Sequence, residues 1–185
     1  MRIIAGRYRG TPLASVGKGD AAAHLRPTPD RVRESLFSIL GGLVDWDGLH
    51  VLDLFAGTGA LGLEAISRGA AQAVFVENGR VGQKLIAQNI AKLRVGEAAR
   101  LLKMDATRLG PAPEPVDLVF LDPPYGKGLG TPALTAARDG GWLAESCVIV
   151  WEENAPQEAP PGFELLSHRK YGDTHLTFLA AQSAT

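Results

Sequence analysis

The sequence predicts an α/β fold: a mostly parallel sheet with helices on both faces and an antiparallel pair of strands at its C-terminal end. Three observations predict it. Short apolar runs alternate with stretches of helical spacing from about residue 49 onward, the pattern of βαβ units whose strands are covered on both sides. The first run leads straight into a glycine-rich turn and a helix. The last two runs are joined only by Arg169 to Thr174, too short for a crossover helix, so they pair as a hairpin.

The elements follow in chain order. Residues 1–26 hold Arg/Gly-rich and Ala/Gly-rich stretches and read as a basic N-terminal arm or hairpin; residues 27–185 form the domain proper. Thr28-Pro29 signals a helix start, with Thr28 as N-cap and Pro29 in the first turn. Val32, Leu36, Ile39, Leu40 and Leu43 follow at helical spacing, and Gly41-Gly42 ends the helix. Leu49 to Phe55 is a strand, and Leu61 to Arg68 a helix stopped by Gly69. Ala73 to Glu77 is the second strand. Val81 to Leu93 is a helix with Val81, Leu85, Ile86, Ile90 and Leu93 on one face. Arg100 to Met104 and Val116 to Leu121 are strands, Thr131 to Arg138 a helix, and Cys147 to Glu152 a strand. Phe163 to His168 and His175 to Leu179 complete the set.

At 185 residues, 45% hydrophobic and 21% charged, the chain has the size and composition of one soluble globular domain. No run approaches the roughly 20 apolar residues of a membrane span, and the start lacks the apolar core of a signal peptide; a cytoplasmic protein is expected. The single cysteine, Cys147, lies in an apolar run and reads as a buried small hydrophobe. One cysteine excludes an internal disulfide and a cysteine metal cluster. His24, His50, His168 and His175 show no ligand spacing, so no metal is expected. Net charge is −1 but uneven: residues 1–33 carry +5 and the remainder −6. An anionic partner is expected at the basic end, where Arg2, Arg7, Arg9, Lys18, Arg26, Arg31 and Arg33 lie.

The glycine loop is Asp53-Leu54-Phe55-Ala56-Gly57-Thr58-Gly59-Ala60-Leu61-Gly62. A strand enters a turn where glycine permits sharp bends and close approach of a ligand to the main chain, a nucleotide-type pocket at a carboxyl strand end. Gly57-x-Gly59-x-x-Gly62 also fits the dinucleotide fingerprint, so a nicotinamide oxidoreductase is the rival reading. Asp53 counts against it: a carboxylate is badly placed beside a pyrophosphate but suits the cationic amino-acid end of S-adenosylmethionine. Glu77, with Asn78 after it, ends the second strand and can accept both ribose hydroxyls, which either cofactor would offer. Asp105, followed by Ala106, closes the third strand; it can accept an adenine amine or simply cap a helix.

The second motif is Asp122-Pro123-Pro124-Tyr125, closing the fourth strand; a dehydrogenase has no use for it. The exocyclic amine of a nucleobase is a poor nucleophile because its lone pair is delocalised into the ring. The Asp122 carboxylate and Pro123 carbonyl can accept hydrogen bonds from that NH2 and aim its lone pair at a methyl group. The prolines pre-set these acceptors. Tyr125 offers a ring for base stacking, worth on the order of 1–3 kcal/mol.

With these motifs the chain resembles the class I, Rossmann-like methyltransferases, and within them the RsmD-type family of ribosomal RNA guanine-N2 methyltransferases. The blocks that carry the resemblance are Arg2 to Gly10, Leu25 to Phe37, Asp53 to Gly59, Glu64 to Ala70, Asp122 to Tyr125 and Tyr171 to Thr174. The resemblance implies a seven-stranded sheet with a reversed last strand and S-adenosylmethionine as methyl donor. It implies methylation of one guanine of 16S rRNA, guanine 966, in an assembled or partly assembled small subunit; a monomer is expected. It also implies that the N-terminal arm and the Arg26 to Arg33 segment contact RNA. An amino-methyltransferase acting on another RNA or a DNA base shares Asp122 to Tyr125 and is the nearest alternative.

Overall fold

A computed structural model of the chain describes residues 1–16 and 27–183. Helix α1 (Asp30–Gly41) precedes strand β1 (His50–Leu54), α2 (Ala60–Ser67), β2 (Gln72–Val76), α3 (Arg80–Leu93) and β3 (Ala99–Leu102). A 3-10 turn (Ala106–Arg108), β4 (Val116–Leu121), α4 (Gly130–Asp139), β5 (Leu143–Glu153), β6 (Phe163–Tyr171) and β7 (Thr174–Ala181) follow. The seven strands form one sheet in the order β3-β2-β1-β4-β5-β7-β6. All neighbouring pairs are parallel except β5–β7 and β6–β7. The expected fold class is what the chain adopts, including the C-terminal hairpin, whose turn is only Gly172-Asp173.

Alternation along the strands sorts the core into two layers. Val51, Leu118, Phe120, Val150 and Phe178 face α1 and α2; Leu52, Leu54, Val119, Leu121 and Ile149 face α4. The order reverses between β1 and β4, the place where parallel sheets open a crevice beyond their carboxyl ends. Strand β5 is longer than its apolar run suggests, because Leu143 pairs with Val116 before a bulge and a left-handed Ser146 (φ 60°) restore register at Val148.

Several helical details depart from expectation. Pro29, not Thr28, is the N-cap of α1; the Thr28 hydroxyl instead donates to the Glu152 carboxylate at 3.1 Å. Leu43 lies beyond the helix and is 44% exposed. The buried stripe of α3 is Gly82, Ile86, Asn89 and Leu93, while Val81 faces solvent. Asn89 is buried because it ties three segments: its amide accepts from Ala14 N and donates to the carbonyls of Ala14 and Thr58.

Residues 1–13 form a hairpin, bridged at Arg2 and Pro12, that places Ile3 and Leu13 in the core. Gly6 touches α2 so closely that a Cβ there would sit 2.0 Å from the Ser67 carbonyl oxygen. The buried Glu64 carboxylate accepts from Ile4 N and Ala5 N at 2.8 and 3.1 Å. No described helix is long and apolar enough to cross a membrane.

Candidate active site

The β1–α2 turn is built from left-handed residues. Gly57 (φ 61°) and Gly59 (φ 80°) adopt this conformation freely, but Phe55 (φ 57°) does so at a cost. The Gly59 amide donates to the Ala56 carbonyl and turns the chain into α2. Gly62 serves packing, since a Cβ there would meet Phe75 Cε1 at 2.4 Å. The loop therefore stands at the switch point with its main chain open to a cleft of about 270 Å³.

Asp53 lies at the floor of that cleft, 1% exposed, and accepts from Gly62 N at 3.0 Å. Burial pushes its carboxyl up to about 8; the Gly62 N–H opposes this and the Glu77 charge adds to it. Glu77 closes the far side. Its two oxygens accept from Gly57 N (2.8 Å) and Gly79 N (2.9 Å), so it links the glycine loop to the start of α3. Gly82 permits this: a Cβ would lie 2.8 Å from Glu77 Cγ. Each carboxylate oxygen retains capacity for a further donor.

Asp122 follows β4 immediately, and its amide donates to the Leu54 carbonyl at 3.4 Å. Asp122, Pro123 and Pro124 line the same cleft as Asp53, Phe55, Ala56, Gly57, Thr58, Glu77 and Asn78. Thus ten of the sequence-derived residues converge, from the ends of three adjacent strands. The other four lie outside the lining set. Gly59 is buried behind the loop, and Ala106 is core. Asp105 caps the 3-10 turn, accepting from Thr107 N and Thr107 Oγ1 at 2.8 Å; these hydrogen bonds hold its carboxyl below the usual range. Tyr125 donates its hydroxyl to Glu152 at 3.4 Å. That same carboxylate receives Thr28, so the chain entering α1 and the Asp122 to Tyr125 loop share one acceptor.

Of the arginines expected at the surface, Arg2, Arg7, Arg9 and Arg31 are exposed. Arg7 lies over the Tyr8 ring, 5.3 Å from its centroid. Lys18 and Arg26 lie outside the described residues. Arg33 is a correction: its side chain is 0% exposed and cannot meet RNA. Its guanidinium pairs with Asp30, donates to the Arg2 carbonyl at 2.9 Å and stands 3.7 Å from Glu64. Helical spacing contains the signal, for Arg33 shares a face with Leu36, Phe37 and Leu40. It lines the cleft, as do Met1 and Thr28, which motif reading passed over.

Comparison with known proteins now decides the family. The family described as conserved hypothetical protein 95 matches residues 1–180. The ribosomal RNA small subunit methyltransferase D of Escherichia coli (strain K12) is 38% identical over 173 residues, 92% of this chain and 83% of that protein. The chain belongs to this family of methyltransferases. The Haemophilus influenzae protein of the same name is 32% identical over 178 residues, covering 93% of this chain and 89% of its own. Among solved structures, Escherichia coli yhhF, which carries a provisional methyltransferase designation, superposes with a TM-score of 0.85 at 35% identity, covering 100% of this chain and 99% of its own. An RNA methyltransferase from Salinibacter ruber, solved with S-adenosyl-L-homocysteine, shares the fold at a TM-score of 0.66 and 15% identity, over 86% of this chain and 96% of its own. The blocks that carry the resemblance fall on structure with clear roles: Gly6 and Ile3 dock the hairpin, Glu64 receives it, and Asp122 to Pro124 line one cleft with the glycine loop.

Proposed function

We propose that the chain transfers a methyl group from S-adenosylmethionine to the exocyclic N2 amine of a guanine in small-subunit 16S rRNA, guanine 966 by family resemblance, within an assembled or partly assembled subunit. The observation that carries this reading is the convergence of Asp53, the Gly57 loop and Asp122 to Pro124 on one cleft. Relatives named for small-subunit rRNA methylation support the substrate class.

The residues present fit the cofactor. Buried Asp53 suits its ammonium, and Glu77, fixed by two backbone amides, suits a ribose diol. Asn78, Thr58 and the Phe55 to Gly57 backbone line the same cleft and would enclose it. When bound, the sulfonium supplies an already activated methyl group.

The protein contributes alignment. The Asp122 carboxylate and Pro123 carbonyl accept the two N–H bonds of the amine, turning its lone pair toward the methyl group. Full deprotonation before attack is not required, because the proton can pass to Asp122 as the new N–C bond forms and the C–S bond breaks, with S-adenosylhomocysteine as the leaving group. Tyr125, its hydroxyl held by Glu152, provides the stacking face. Residues 1–26 and the first turn of α1 carry the RNA-facing charge through Arg2, Arg7, Arg9, Lys18, Arg26 and Arg31, and residues 27–185 form the catalytic domain.

Asp122→Ala tests the assignment. Transfer to small subunits should fall at least a hundredfold, as when one preorganised polar group is lost from an active site, with S-adenosylhomocysteine affinity kept within a few-fold. Near-normal turnover would overturn the role of Asp122.

A further inference from the structure

The buried arginine at the head of the cleft has more donors than partners. Arg33 is wholly buried, yet its Nε and Nη1 have no hydrogen-bond partner among the described residues. Only Nη2 is hydrogen-bonded, to Asp30 and the Arg2 carbonyl, while Nη1 stands 3.7 Å from the Glu64 carboxylate. Orphaned guanidinium N–H groups are costly in a protein interior. Around it, Arg2, Arg33 and Arg68 face Asp30 and Glu64, which leaves one positive charge in excess. Arg33 and Asp53 both line the cleft, and neither is the other's ion-pair partner.

A cleft holding one buried cation and one buried carboxylate, on different elements and unpaired with each other, is complementary to a zwitterion. An α-amino acid presents ammonium and carboxylate on one carbon. We infer that Arg33 is the receptor for the α-carboxylate of the cofactor's amino-acid end, with Asp53 taking the ammonium. This rests on the cofactor reading above and assigns Arg33 a binding role in place of the RNA contact its charge suggested. Its guanidinium belongs to the cleft wall and not to the outer surface of the molecule. The hairpin and α2 then hold Arg33 in place: Asp30, the Arg2 carbonyl and Glu64 are its anchors. Docking the basic N-terminal hairpin is thereby coupled to forming the carboxylate site.

The test compares S-adenosylhomocysteine with its decarboxylated analogue, which keeps adenosine, sulfur and the amine, by calorimetry on the full chain. The intact protein should prefer S-adenosylhomocysteine at least about tenfold, the value of one charge-assisted hydrogen bond. Arg33→Lys keeps a charge for Asp30 and Glu64 but changes donor geometry, and it should reduce that preference to less than about threefold. A purely structural Arg33 would weaken both ligands equally and leave the ratio unchanged, which would overturn the proposal. A ratio near one in the unmodified protein would overturn it too. Should Arg33→Lys fail to fold, nitrogen NMR of the unmodified protein decides: the Arg33 Nε–H signal should move with S-adenosylhomocysteine and stay with the decarboxylated analogue, and equal movement would refute the assignment. If S-adenosylhomocysteine does not bind at all, the cofactor reading itself falls, an outcome distinct from binding with an unchanged ratio.

Discussion

Replacing Asp53 with Asn should make the protein more stable at neutral and basic pH, although it removes a carboxyl group from the cleft. Asp53 is 1% exposed and its carboxyl is raised from 3.8 to about 8, chiefly by burial. In the pH range between those values the folded protein keeps a proton that the unfolded chain has released. The neutral group's stabilising contribution is therefore complete below about pH 4 and is lost as pH rises through about 8. Each pH unit within the window is worth about 1.36 kcal/mol, so Asp53 should cost the protein about 4 kcal/mol between pH 5 and pH 8. The amide of Asp53→Asn would have no such dependence, and its oxygen can still accept from Gly62 N. Urea unfolding of Asp53→Asn and the unmodified protein at half-unit steps would show two curves diverging by about that amount, the variant lying above. Parallel curves would refute the reasoning, because they would mean that Asp53 is already ionised and matched in the folded protein. Cofactor binding follows the same linkage: S-adenosylmethionine at pH 7 should expel close to one proton from Asp53, seen as a buffer-dependent binding enthalpy.

Other parts of the structure are equally open to test. Gly62→Ala forces a Cβ to within 2.4 Å of the Phe75 ring, and urea unfolding should show a loss of about 1–3 kcal/mol, the usual cost of overpacking. Glu64→Gln leaves buried Arg33 without its carboxylate neighbour and removes the pairing of Arg68 at 2.9 Å. It should cost about 3–5 kcal/mol, and amide exchange at Ile4 and Ala5 should accelerate as the hairpin loosens. Arg7→Ala with Arg9→Ala should weaken subunit binding and lower the slope of log affinity against log salt by about 1.5–2, with cofactor affinity unchanged; an unaltered slope would remove the hairpin from the RNA interface.

Most of the fold could be read from the chain because its physics is local. Parallel strands are buried on both faces, so Val116 to Leu121 stands out as an apolar run with matching bounds in the structure. The two site motifs were legible for the same reason: each is a short segment whose backbone must bend at a strand end. What escaped depends on contacts across long separations. Thr28 has the local character of a cap, but its partner Glu152 is 124 residues away. Asn89 sits on the buried face of α3 only because Ala14 and Thr58 converge there. Residues 1–26 read as a basic arm or hairpin, but the place where it docks is not legible there, since the carboxylate that receives it, Glu64, belongs to α2. Arg33 lay between these cases: its charge suggested the surface, while its spacing from Leu36, Phe37 and Leu40 placed it inside.

The most direct test of the methyltransferase reading is transfer of a tritiated methyl group from S-adenosylmethionine to small ribosomal subunits that lack the modification, followed by nucleoside mass spectrometry. N2-methylguanosine at a single site is the predicted result. Cofactor binding with no methyl group on any guanine of those subunits would contradict the proposed substrate and direct the search to another RNA or to DNA.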